Sequence, residues 1–175
     1  MTSDTGATAG ESFDRIRADL SDSALGYKIQ ALAAHVLLRL DYRIVEINRS
    51  GHPDIVAIRD GREFRFEIEA EVKGPRSRKL TDADFDSLTN MPGVTGYYAL
   101  AINIPDPRWV VVSAQKLSRR VRGSPRSLLE ALSDKSLSVA WTDEYTRLIC
   151  DEWRRIKFAS YAALCERALR GTHFD

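Results

Sequence analysis

The chain has 175 residues, with 26 Lys and Arg against 25 Asp and Glu, a formal net charge of +1 and 43% hydrophobic residues. A chain of this length buries roughly two-thirds of its unfolded surface, so one domain accounts for it and neither disulfides nor a structural metal is demanded. The balanced charge excludes a polybasic protein that holds nucleic acid by bulk charge, yet leaves room for a basic patch offset by acids elsewhere.

In chain order, residues 1–11 are mostly Thr, Ser, Gly and Ala and read as a disordered tail, without the charged start and apolar run of a signal peptide. The domain is expected over 12–175, opening with a short helical lead-in at 12–20. Leu25, Ile29, Leu32, Ala33, Val36, Leu37 and Leu40 then recur at helical spacing and predict an amphipathic helix. His35, Arg39 and Asp41 interrupt it, and no stretch approaches the roughly 18 consecutive apolar residues of a membrane span. Alternation at 42–47, turn residues at 48–51 and the apolar run at 55–58 predict a hairpin. Asp60-Gly61 is a second turn signal, followed by a long strand at 63–73 that ends at Gly74-Pro75.

A basic loop at 76–79 leads to a short helix from Thr81-Asp82 to Leu88, then strands at 96–104 and 109–112 and a short helix at 114–121. The remainder predicts a helix through Leu132, a short strand at 137–141 and one long C-terminal helix at 143–170. Cys150 and Cys165 fall in that last stretch without metal-ligand spacing and read as reduced thiols of a cytoplasmic protein. Helices mixed with a compact run of strands predict an α/β (or α+β) domain with a sheet of about five strands.

The segment with chemical character is 63–73. Phe64, Phe66, Ile68, Ala70 and Val72 share one face of the strand, while Arg65, Glu67, Glu69, Glu71 and Lys73 share the other. A solvated charged face is one reading. The other is a cation site, because three carboxylates in line repel unless a cation or base sits among them. Asp54, at the mouth of the preceding strand, lies one hairpin away, and a hard cation takes oxygen ligands at roughly 2.0–2.6 Å. Lys73, on the same face as Glu71, is placed to sit by a metal-bound water or to stabilise charge on a phosphate.

Pro53-Asp54, a hairpin and then Glu71-Val72-Lys73 resembles the PD-(D/E)xK nuclease superfamily, over roughly residues 25–109. The order of helix, hairpin, acidic strand, helix and strand is also similar to that family's core, notably its restriction-endonuclease-like and Holliday-junction-resolvase-like members. The resemblance implies that Asp54 and Glu71 bind Mg²⁺ (or Mn²⁺), that Lys73 assists the attacking water, and that the substrate is a phosphodiester in DNA. One position departs from the pattern. Where many members carry a helix glutamate, this chain has Gln30, a neutral amide that can lend a carbonyl oxygen but cannot act as a base. Glu69 or Glu67 could supply the missing charge.

His52 stands beside Asp54 as an auxiliary candidate, whereas His35 reads as packing and His173 as exposed; the three have no zinc spacing. Serine-nucleophile and Walker-type motifs are absent. Arg76, Arg78 and Lys79 leave the acidic strand where a phosphate backbone would approach. A second basic cluster, Lys116, Arg119, Arg120, Arg122 and Arg126, reads as a solvated surface. The apolar C-terminal segment suggests a homodimer. The leading expectation is a metal-dependent DNA endonuclease; the alternative is a catalytically inactive module of the same fold that binds DNA or a partner protein.

Overall fold

Residues 31–37 are buried without exception, so over this stretch the first helix is not amphipathic in the way its spacing suggests but enclosed on all sides. The computed structural model describes residues 22–71, 83–102, 108–121, 135–156 and 159–173. The tail at 1–11, the lead-in at 12–20, Lys73, the basic loop with Arg76, Arg78 and Lys79, Arg122, Arg126 and the helix expected to end at Leu132 lie outside the described residues.

Helix α1 (Asp22–Arg39) is followed by strands β1 (Arg43–Ile47), β2 (Ile55–Arg59) and β3 (Arg62–Glu71). Helix α2 (Ala83–Thr89), strands β4 (Val94–Ile102) and β5 (Arg108–Ser113), and helices α3 (Ala114–Val121), α4 (Thr142–Ile156) and α5 (Tyr161–Leu169) complete the described elements. The strands form one sheet in the order β1-β2-β3-β4-β5. Among the described residues only the β3–β4 pair is parallel, and α2 lies in its crossover, since parallel neighbours cannot be joined by a tight turn. The chain therefore has an α/β fold with a mixed five-strand sheet packed against helices.

The alternation along the strands sorts two cores. Phe66, Ala99 and Val111 join α1, α4 and α5 on one face. Tyr98 and Val112 join Phe85 and Leu88 of α2 and Ala114 and Leu117 of α3 on the other. The charged face of β3 is consequently not solvated as its sequence suggests. Glu67 is 4% exposed, and Arg65 donates to the Ser87 carbonyl at 3.1 Å, which ties β3 to α2.

The β2–β3 turn has Asp60 at φ 52° and Gly61 at φ 71°. Both central residues are left-handed, as a two-residue hairpin requires. Gly96 is needed for a different reason: a Cβ there would stand 2.3 Å from the Leu88 carbonyl oxygen, so its absence lets α2 lie against β4. At the sheet edge, the β1 register shifts between Ile44 and Glu46. Such a bulge spoils an edge strand as a template for further pairing.

Two expectations are corrected. The stretch at 137–141 is not a strand: Lys135–Leu137 is a 3₁₀ turn, and Ser138 makes an isolated bridge to Val112 before α4 begins. The C-terminal helix is not continuous either. Ser160 caps α5, its hydroxyl accepting from the Ala163 N–H at 3.2 Å, and this restart folds α5 back against α1. Tyr145, Leu148, Ile149, Trp153, Ile156 and Leu164 lie inside the chain's own core, whereas Leu169 at the end of α5 is exposed. No helix among the described residues is long and apolar enough to cross a membrane.

Candidate functional site

Asp54 stands where β2 stops and β3 runs on. The last β2–β3 pair at that end is Ile55 with Phe66, and beyond it the ladder is continued by a side chain, Asp54 Oδ2 accepting from the Ile68 N–H at 2.7 Å. A carboxylate here substitutes for the backbone carbonyl that a longer β2 would have offered.

The 48–54 segment that presents Asp54 is fastened by polar groups. The Asn48 N–H donates to the Asp54 carbonyl at 2.8 Å, and Asn48 Nδ2 donates to the Pro53 carbonyl at 2.7 Å. The peptide bond between His52 and Pro53 is cis. Gln30, 3% exposed on α1, reaches across to the same segment. Its Nε2 donates to the Asn48 carbonyl at 2.6 Å and faces the Asp54 carbonyl at 3.4 Å, while its Oε1 accepts from the Tyr161 hydroxyl at 3.2 Å. The residue in the expected glutamate's place thus joins α1, the Asp54 segment and α5 through both ends of its amide. A carboxylate could not make the two donations, which is a physical reason for glutamine here.

His52 Nδ1 contacts Glu67 Oε1. Glu67 belongs to the Tyr98 face of the sheet, so this pair sits on the side away from α1. The register has a consequence for the carboxylates. One step beyond the Ile55–Phe66 pair, the residue across from Asp54 is Glu67. Glu69 lies two positions further, and Glu71, at the end of β3, four positions further, about 13 Å along the strand. Counted on from that pair, Asp54 falls level with Glu67, its Oδ2 is fixed at the Ile68 N–H, and Glu71 stands three positions beyond Ile68 at the end of β3. Among the described residues no three of His, Cys, Asp and Glu converge into a metal cage.

An open pocket of about 250 Å³ adjoins Asp54, lined by Gly26, Tyr27, Gln30, Asp54 and Ile68. Three residues that sequence reasoning missed lie around it. The Arg49 guanidinium stands 5.1 Å from the Tyr27 ring centroid, and the Tyr27 and Tyr161 rings are 5.6 Å apart and tilted. Burial pushes the Tyr161 hydroxyl well above its ordinary range; the Cys165 thiol and the Asp54 carboxylate add to the rise and Arg49 opposes it. Arg49 and Asp54 are thus felt at one phenol from opposite signs. No periodicity marks these residues, because they meet only when α5 folds back onto α1.

The remaining candidates are dispersed. His35 is buried with Nε2 at 2.9 Å from the Leu164 carbonyl, a packing role as its sequence suggests. His173 is exposed at the chain's end. Cys150 and Cys165 are free, half-buried thiols on separate helices, both raised by burial. Lys116, Arg119 and Arg120 are exposed on α3. No family model, no curated protein and no solved structure matches the chain.

Proposed function

We propose that this chain is a metal-dependent nuclease that hydrolyses phosphodiester bonds in DNA, on a restriction-endonuclease-like core. The observation that carries this reading is Asp54 at the fork where β2 ends and β3 continues, flanked by acidic residues of β3 and by α1. The element order of helix, three antiparallel strands, helix and a parallel strand is similar to the PD-(D/E)xK core, and supports it.

A hard cation fits this donor set. Mg²⁺ is usually held by one or two carboxylates, with waters and substrate phosphate completing its shell, so the lack of a three-ligand cage among the described residues is compatible with it. On this reading Asp54 and Glu69 would hold one ion, and Glu71 would serve a second position. When bound, the metal supplies a water of lowered pKa and Lewis-acid stabilisation of the phosphate. The Ile68 N–H orients the Asp54 carboxylate, and the Gln30 and Asn48 bonds hold the segment still while substrate binds. On the family resemblance Lys73 steadies the attacking water, and Arg76, Arg78 and Lys79 hold the flanking backbone.

Plasmid DNA incubated with the protein and Mg²⁺ or Mn²⁺ tests the reading. Nicking is expected, with loss of at least a hundredfold in rate for Asp54→Ala and for Glu69→Ala. Unaltered nicking by both variants, or none by the wild type with either ion, would overturn it.

A second reading is a non-catalytic module that binds DNA or a partner protein, and Gln30 favours it. The amide is committed to structural hydrogen bonds at the place where a metal-binding glutamate is expected. A thermal shift with Mn²⁺ separates the two, since only a working site gains stability from the ion.

A further inference from the structure

We propose that the pocket beside Asp54 receives a single unpaired nucleotide, so that the substrate presents single-stranded or splayed DNA at this site rather than a continuous duplex. The proposal deepens the nuclease reading and rests on it for the choice of DNA as ligand.

Three observations carry it. The first is Gly26. Glycine is a poor helix residue, and inside α1 it needs a reason. A Cβ at Gly26 would meet nothing within 4 Å, so no neighbour in the fold requires its absence. What the missing side chain keeps open is the pocket that Gly26 lines.

The second is the aromatic wall. Tyr27 lines the pocket one residue on from Gly26, and Tyr161 stands beside it. A half-buried phenol at the edge of an open pocket offers a base a flat apolar surface without reading its identity. The third is Arg49, exposed, with its guanidinium over the Tyr27 ring. Guanidinium groups stack on rings and form charge-assisted hydrogen bonds to phosphate. An incoming base takes the ring face that Arg49 covers in the free protein, and the guanidinium moves to the adjacent phosphate. One cation–π contact is exchanged for a stacked base and a paired phosphate. At about 250 Å³ the open pocket is on the scale of a small-molecule site and has room for one base.

The test measures binding without cleavage. Fluorescence anisotropy in EDTA compares a labelled single-stranded oligonucleotide with the same sequence as a blunt duplex. The single strand is expected to bind at least tenfold tighter. Tyr27→Ala and Gly26→Leu should each weaken single-strand binding about tenfold and leave duplex binding unchanged. Gly26→Leu decides the matter if Tyr27→Ala fails to fold, because a Cβ at that position meets no atom within 4 Å. Equal or tighter duplex binding, no binding of either DNA, or full single-strand binding by folded Gly26→Leu would overturn the proposal. Failure of the nuclease reading looks different: single-strand binding would persist with no metal-dependent cleavage.

Discussion

Helix α1 is fastened at one end and open at the other. In its C-terminal half Arg39 pairs with Glu152 of α4 at 2.9 Å, and His35 bonds the Leu164 carbonyl of α5, with every residue from 31 to 37 buried. In its N-terminal half Gly26 and Tyr27 face an open pocket, and Gln30 spends its amide on the Asp54 segment and Tyr161. The fastened half fixes where the helix lies; the open half uses that fixed position to present polar groups at the end of the sheet. A site held this way can tolerate unfavourable local choices, such as a helical glycine, because the anchoring is elsewhere.

The largest expected effect comes from loosening the fastened half. Glu152 is 1% exposed, with Arg155 at 3.7 Å as its other cationic neighbour. Arg39→Ala leaves that carboxylate buried beside a weaker partner and should destabilise the fold by about 3 kcal/mol, seen as a lower midpoint in urea. Cleavage per folded molecule should persist, since nothing at the pocket is touched.

Gln30→Leu attacks the boundary between the halves. It keeps the shape but strands the Asn48 carbonyl and the Tyr161 hydroxyl, and should cost about 2 kcal/mol. Unlike Arg39→Ala, it should also lower the cleavage rate of the folded fraction, because the Asp54 segment loses its tie to α1.

His35 gives the fastened half a pH dependence. Burial lowers its pKa below the ordinary 6.5, with the Leu164 carbonyl and Glu152 acting against the shift. The unfolded chain therefore takes up the proton first on acidification, and stability falls as pH drops below about 6.5 and is unaffected by this group well above it. His35→Gln, which can still donate to Leu164, should show a flatter loss of melting temperature between about pH 7.5 and 5.5.

The smallest effect should have the opposite sign. Gly26→Ala introduces a better helix former into open space, and should raise stability by up to about 1 kcal/mol, or a few degrees in melting temperature.

Much of the fold could be read from period and punctuation. The helix at 22–39, the β2–β3 hairpin and its Asp60-Gly61 turn, and the apolar face of β3 follow from local spacing alone. The break at Ser160 was hidden because apolar residues run across it at helical spacing; only the cap's hydrogen bond shows where α5 restarts. The burial of Glu67 was equally hidden, since an alternating charged face looks wet until α2 packs against it. Asp54 and Gln30 were singled out by their positions in the sequence, and the structure places both at one pocket. How far along β3 Asp54 stands was not a matter sequence could decide, because one cannot count strand register through a turn of unknown type; the structure fixes its carboxylate at the Ile68 N–H. Arg49, Tyr27 and Tyr161 come from three distant segments and leave no common pattern.

Mn²⁺ binding at Asp54 is read by calorimetric titration of the ion into the wild type and into Asp54→Asn. The asparagine oxygen can still accept from the Ile68 N–H, so the variant should stay folded while losing the ligand's charge. Saturable heat is expected for the wild type, and at least a tenfold weaker or undetectable response for Asp54→Asn. Identical isotherms, or no heat from the folded wild type, would contradict metal binding at Asp54.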